Sequence, residues 1–279
     1  MSNTVVDLSN MRLTRVLYTD ALVPPEIMGL TVDDIEQVNW RTAAEYEDAQ
    51  PRVGVAAWVI ETAGLRVVVD PVQAADAVLR ADSDSEAFHQ DAFAAVLADA
   101  GFARETIDAV IMTHIEGIGM VAKHEADGSW SSYFPNATLW IGRENCADYN
   151  NEPEVVGIPT HQAWEVLLES DRTVEYNDGQ QIVPGVRART TNGHCPGHSV
   201  LDLGDGTTPE ATMIGHLAIS PLHLSTGLCP QQHPSDPQGA WDALCASAAD
   251  ERYVIGPLWP SPGIGQFIDE VYVPFVVSE

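Results

Sequence analysis

The sequence predicts an α/β or α+β domain, and two mixed β-sheets packed together with helices outside fit its elements. Three observations carry that reading. Short apolar runs bounded by turn signals recur along the chain, both halves pass from strands to an amphipathic helix and back to a strand, and a clean βαβα alternation is absent.

The elements follow in order. Met1 to Arg52 holds the pair Pro24-Pro25 and an acidic helix candidate from Thr31, and reads as an additional N-terminal arm. Val53 to Asp70, VGVAAWVIETAGLRVVVD, is two apolar runs broken by Thr62-Ala63-Gly64, the pattern of a β-hairpin whose second run stops at Asp70-Pro71. Ser85 to Ala100 places Phe88, Ala92, Val96 and Ala100 at helical spacing, with acids early and Gly101 beyond the end. Ile107 to Met112 is then a short buried strand, Thr138 to Ile141 another, and His161 to Leu168 is helical. TVEY, QQIVPGVRART, SVLDL and ATMIGHLAI read as strands, with turns at Asp178-Gly179 and Asp205-Gly206. Asp236 to Ala249 is a second amphipathic helix, and RYVIGPLW closes as a strand.

No break in composition divides the 279 residues, so 1–279 reads as a single domain. Forty-one acidic against 13 basic residues leave a net charge of −28, which repels phosphate backbones and anionic membranes; neither nucleic acid nor a membrane is an expected partner. No apolar run approaches the roughly 20 residues of a membrane helix, and the start, MSNTVVD, lacks the basic residues and apolar core of a signal peptide. Cys146, Cys195, Cys229 and Cys245 show no paired spacing and read as reduced thiols of a cytoplasmic protein.

Four stretches can carry chemistry: MTHIEGIG (112–119), TNGHCPGHS (191–199), MIGHLAIS (213–220) and GPLWPSPGIG (256–265). The first three each place a histidine at or just beyond the end of an expected strand. Imidazole is the commonest metal ligand, and a His-x-Glu step can aim two ligands at one ion from a loop. A His with a Glu is equally an acid–base pair. One such histidine alone is more often a hydrogen-bonded structural residue; three in one chain point to a site.

The order VVVDP, TH-x-E-x-x-G, DG-x-W…FPNATLWI, GHCPGHS, IGH and DP…A…YVIGPLWPSPGIG resembles the metallo-β-lactamase superfamily, and within it the lactonase-like metallohydrolases. The resemblance implies an αββα sandwich with metals at one edge, held by the loops after the strands. The family's first motif is T-H-x-H-x-D-H; here it reads Thr113-His114-Ile115-Glu116-Gly117-Ile118-Gly119. Glu116 replaces the second His, Ile118 the Asp and Gly119 the last His. His194 matches the third-motif His, His216 stands where an Asp bridges two metals, and Leu258 stands where the final His would be.

Sorted by metal, these changes fall into two sets. The first ion's positions are His114, Glu116, His194 and His216, all of ligand type. The second ion's positions include Ile118, Gly119 and Leu258, whose side chains cannot coordinate. The resemblance therefore implies one divalent ion at most, zinc first with iron or manganese as the other ions such a set suits, or none, and no second metal.

Other residues carry two readings each. Cys195 is either a thiolate nucleophile or a small buried side chain on a tight loop. His223, near where relatives have Gln, is a pocket-lining candidate for substrate binding. Tyr133 and Trp259, with Trp130 and Phe134, are pocket walls or core. His198 matches a position that braces the loop, and Asp70 a buried acceptor behind the ligands. The Tyr that lactonases place shortly after the bridging Asp has no counterpart in His216-Leu217-Ala218-Ile219-Ser220. In relatives an extension such as 1–52 covers the site or contacts a second subunit, which would make a homodimer.

Three functions follow. The first is a small-molecule enzyme with an altered, at most mononuclear site, in which His114, Glu116, His194 and His216 act on an ester, lactone or thioester-like metabolite, by hydrolysis or by non-hydrolytic chemistry. The second is a metal-free cyclase, lyase or isomerase with Glu116 as general base and histidines as its partners. The third is a non-catalytic binding protein.

Overall fold

The computed structural model describes residues 3–42, 45–48, 50–71, 86–115, 121–151, 158–230 and 236–276. A first sheet is built from Thr4–Leu8 (β1), Met11–Leu22 (β2), Tyr46–Glu47 (β3), Gln50–Thr62 (β4), Leu65–Val69 (β5) and Ala109–Ile111 (β6). After a small separate hairpin, Ala122–His124 (β7) with Trp130–Ser132 (β8), it is completed by Thr138–Gly142 (β9) and Thr173–Tyr176 (β10). Its order is β1-β2-β4-β5-β6-β9-β10, with β3 beside β4. The strands from β5 to β10 run parallel and the others antiparallel, so the sheet is mixed.

The second sheet keeps chain order: Gln181–Val183 (β11), Val186–Thr190 (β12), Ser199–Leu203 (β13), Ala211–Met213 (β14), Tyr253–Ile255 (β15), Ile264–Ile268 (β16) and Val271–Pro274 (β17). Of its pairs, β14 with β15 is parallel. The helices used below are Val32–Glu36 (α1), Glu86–Asp99 (α2), Arg143–Asn151 (α3), Ile158–Leu168 (α4), His223–Thr226 (α5) and Pro237–Ser247 (α6).

The unbroken apolar runs of β4 to β6 have a plain cause: both faces of these strands are covered. Successive side chains point to opposite faces. Trp58, Ile60, Val67, Val69, Ala109 and Ile111 meet Leu201, Leu203, Met213 and Ile255 of the second sheet. Val55, Ala57, Val59, Val68 and Val110 face outward to Phe93 and Leu97 of α2 and to Trp164 and Leu167 of α4. On the far side, Val200 and Val254 pack with Ala240 and Leu244 of α6. Four layers result, helix–sheet–sheet–helix, with each large apolar side chain contributing about 1.5–3 kcal/mol on burial.

The structure corrects four of the sequence readings. QQIVPGVRART is two strands, because Pro184-Gly185 turns the chain between β11 and β12. ATMIGHLAI leaves the sheet after Met213, and RYVIGPLW after Ile255. The start of the chain is not an arm. β1 and β2 belong to the first sheet, with β2 paired along β4 from Met11 opposite Thr62 to Leu22 opposite Arg52, which satisfies an edge that thirteen residues of β4 would otherwise expose. The rest of that segment packs Val23, Met28, Leu30, Ile35 and Val38 against Val53 and Leu222. Thr31 caps α1 through a reciprocal bond pair with Asp34. Among the described residues no helix is long and apolar enough to cross a membrane.

Candidate metal centre

Three strand ends converge at one edge of the sandwich. β6 stops at Ile111, and the next residues are held by the Met112 N–H donating to the carbonyl of Trp140 and by the Tyr176 hydroxyl donating to the carbonyl of Met112 at 2.8 Å. Thr113 and His114 follow. The loop 191–198 after β12 carries His194. β14 ends at Met213, and a single 3-10 turn, Gly215–Leu217, presents His216. The Ser199 N–H donates to the Thr113 carbonyl at 2.9 Å and ties the two sheets together here.

His114, His194 and His216 are all buried, at 0%, 5% and 3% exposure. Their ring centroids lie 4.9 Å (His114–His194), 4.8 Å (His114–His216) and 5.4 Å (His194–His216) apart. One ligand nitrogen from each falls within 4.8 Å of the others.

Hydrogen bonds settle which nitrogen two of these rings present. The Thr113 hydroxyl donates to Asp70 at 2.7 Å, so its oxygen accepts from Nδ1–H of His114 at 3.0 Å. Nδ1 of His194 stands 2.9 Å from the Pro230 carbonyl, which can only accept. Both rings therefore carry the proton on Nδ1 and present the Nε2 lone pair, the tautomer that a metal takes.

The surroundings brace the three rings. Asp70, fully buried, also accepts the Thr113 N–H at 2.9 Å. Burial pushes its carboxyl up from the ordinary range; nearby His114, the bonds from Thr113 and His216 pull the other way. His198 Nε2 accepts the backbone N–H of His216 at 3.2 Å, so its Nδ1 carries the proton towards Thr191 Oγ1 at 2.9 Å. That ring holds the His216 backbone.

Three buried imidazoles are a donor set that suits zinc. Nitrogens sharing one tetrahedral zinc stand about 3.4 Å apart; from a span of 4.8 Å, small side-chain rotations suffice. Glu116, Ile118 and Gly119 lie outside the described residues. Leu258 is buried, and its carbonyl accepts the Gly54 N–H at 2.9 Å.

The remaining candidates sit elsewhere. His223 is not a pocket wall: it is fully buried, with Nε2 donating to the Met28 carbonyl at 3.1 Å and Nδ1 bonded to the Ser220 backbone. Trp259 is core as well, its indole N–H donating to Ala218 at 2.8 Å and its ring edge-on to Tyr272. Tyr133 is buried against Phe93. Large rings take these places because the layers need volume there. Cys195 is buried and receives a bond from Asn145 at 3.5 Å.

Thr113, Tyr176 and Asn145 support the site without having been singled out in the sequence. Thr113 could have been found from its place between an apolar strand and a candidate ligand. Along the chain Asn145 lies 31 residues and Tyr176 lies 18 residues from the nearest of the three histidines, and nothing local marks them.

No protein-family model and no curated protein matches the chain. Solved structures do, over almost its whole length. The hydrolase AbOPH, in the beta lactamase superfamily, superposes with a TM-score of 0.74 at 16% identity, covering 99% of this chain and 98% of its own. AidC, a dizinc quorum-quenching lactonase in complex with a product N-hexnoyl-L-homoserine, gives 0.74 at 16%, covering 100% and 99%. A probable metal-dependent hydrolase from Staphylococcus aureus gives 0.69 at 15%, covering 97% and 99%. At such identities the likeness is one of architecture: the chain has the metallo-β-lactamase fold.

Proposed function

We propose that the chain is a small-molecule enzyme in which His114, His194 and His216, with Glu116, hold one divalent ion, zinc first, and that it acts on a metabolite carrying an ester, lactone or thioester bond. The observation that carries this reading is the convergence of three buried imidazoles from three separate strand ends, with ligand atoms within 4.8 Å of one another. Among proteins that share the fold, hydrolases and a dizinc lactonase support the substrate class.

When bound, the ion would supply a Lewis acid for a carbonyl oxygen and lower the pKa of a coordinated water towards about 7. The chain's own groups set the conditions. Thr113 and the Pro230 carbonyl keep His114 and His194 in the Nδ1–H tautomer. Burial of all three rings keeps bulk water away from them. Glu116, two residues beyond His114 in the sequence, serves as fourth ligand or as the group that takes a proton from the attacking water. Leu258, with Ile118 and Gly119, offers no ligand for a second ion.

The test is the metal content of protein purified without a metal-affinity tag, measured by plasma mass spectrometry alongside His114→Ala. Close to one equivalent of zinc, iron or manganese, lost in the variant, is the expected result. No ion after incubation with excess metal would sink the reading and turn the search to acid–base chemistry by Glu116.

A further inference from the structure

Asn145 is the third residue of α3, directly after β9, and is buried at 3% exposure between two of the ligand-bearing loops. Its Oδ1 accepts the N–H of Ile115, the residue after His114. Its Nδ2 donates to the Pro196 carbonyl at 2.7 Å and to Cys195 Sγ at 3.5 Å, the two residues after His194. One amide thus joins the chain just downstream of two of the three histidines.

The chemistry demands an amide. Oδ1 faces a backbone donor and Nδ2 faces acceptors, and no carboxylate, hydroxyl or apolar side chain offers both at that spacing. Packing also brings α3 close. Gly197 has φ of +72°, and a Cβ there would lie 2.1 Å from the Asn145 backbone nitrogen, so the His194 loop passes the helix at a distance that a side chain forbids.

We propose that Asn145 is a positioning residue: by bonding Ile115 on one side and Cys195-Pro196 on the other, it sets the separation of His114 and His194 and with it the affinity for the ion. This rests on the mononuclear reading above. Asn145 touches neither ion nor substrate; it acts through two backbones, as the groups behind metal ligands do.

The experiment titrates zinc and cobalt into wild type, Asn145→Ala, Asn145→Ser and Tyr149→Phe, with thermal unfolding of each apo-protein measured in parallel. Tyr149 lies on the same helix and bonds His161 of α4 rather than Ile115, Cys195 or Pro196, so Tyr149→Phe reports general loosening of α3. The zinc Kd is expected to rise about ten- to a hundredfold in Asn145→Ala, with altered visible bands for the cobalt form, while Tyr149→Phe keeps wild-type affinity and spectrum. Asn145→Ser, whose hydroxyl reaches one loop but not both, carries the same comparison should the alanine variant fail to fold. Wild-type affinity and spectrum in the Asn145 variants would overturn the positioning role and leave the ion site standing. A wild type that takes up no ion would overturn both.

Discussion

The hydroxyl oxygen of Thr113 stands 3.0 Å from Nδ1 of His114, while its proton goes to Asp70 at 2.7 Å. A single buried hydroxyl therefore orients a ring and satisfies a carboxylate. Thr113→Val keeps the shape and removes both bonds. We expect a zinc affinity at least about tenfold weaker and a stability loss of about 1–3 kcal/mol from the unsatisfied Asp70. Thr113→Ser should stay near wild type. Isothermal titration and urea unfolding measure the two quantities, and an unaffected Val variant would count against this role.

Gly215 has φ of +52°, and a Cβ there would fall 2.6 Å from His198 Nε2 and 2.7 Å from Thr113 Oγ1. Gly215→Ala thus drives apart the two groups that brace His216 and His114. It should cost about 1–3 kcal/mol of stability and weaken metal uptake. Gly128→Ala is the control: its φ is +85° with nothing within 4 Å, so it carries backbone strain without the clash. Equal effects of the two substitutions would refute the steric account.

Burial lowers the pKa of His223 from 6.5, against the opposing pull of its bonds to the Met28 and Ser220 backbone. Below pH 6.5 the unfolded chain takes up a proton that the folded chain does not. Stability therefore falls as pH drops from 6.5 towards the folded pKa, by up to about 1.4 kcal/mol per pH unit from this group. His223→Gln removes that contribution and can still donate to Met28. Urea midpoints at about pH 7.5 and about pH 5.5 should fall further apart in wild type than in the variant.

On the mononuclear reading proposed above, Leu258, Ile118 and Gly119 take the places of three ligands of a second ion. A single ligand added to a stripped site does not meet the coordination number of zinc. Leu258→His should leave metal content at the wild-type equivalent. Two equivalents per chain would mean that the second site had lost only one group.

The central strands of the first sheet were readable in the sequence because they are buried on both faces, which leaves apolar runs from Val53 to Ile60, from Val67 to Val69 and from Ala109 to Met112. β1 and β2 were not. Met11–Leu22 mixes charged and hydroxyl residues with apolar ones at irregular spacing, and nothing local says that it pairs along β4. The same limit applied to ATMIGHLAI. Its apolar composition continues past Met213, but Gly215 takes a positive φ that ends the strand and turns His216 inward.

By itself the sequence marked the central strands and the histidines that stand at or just beyond strand ends, since both are written in the order and period of neighbouring residues, while the two-sheet sandwich came from the family resemblance. The resemblance implied that His114, His194 and His216 share one ion, and the tertiary structure brings them together although up to 102 positions separate them along the chain. The structure alone assigned His223 and Trp259 to the core, gave Thr113 and Pro230 their bonds to the rings of His114 and His194, and gave Asn145 its bonds to the loops beside them. Apart from the bond between the neighbours Thr113 and His114, these bonds join residues distant in the chain, and their geometry exists only once the layers have packed.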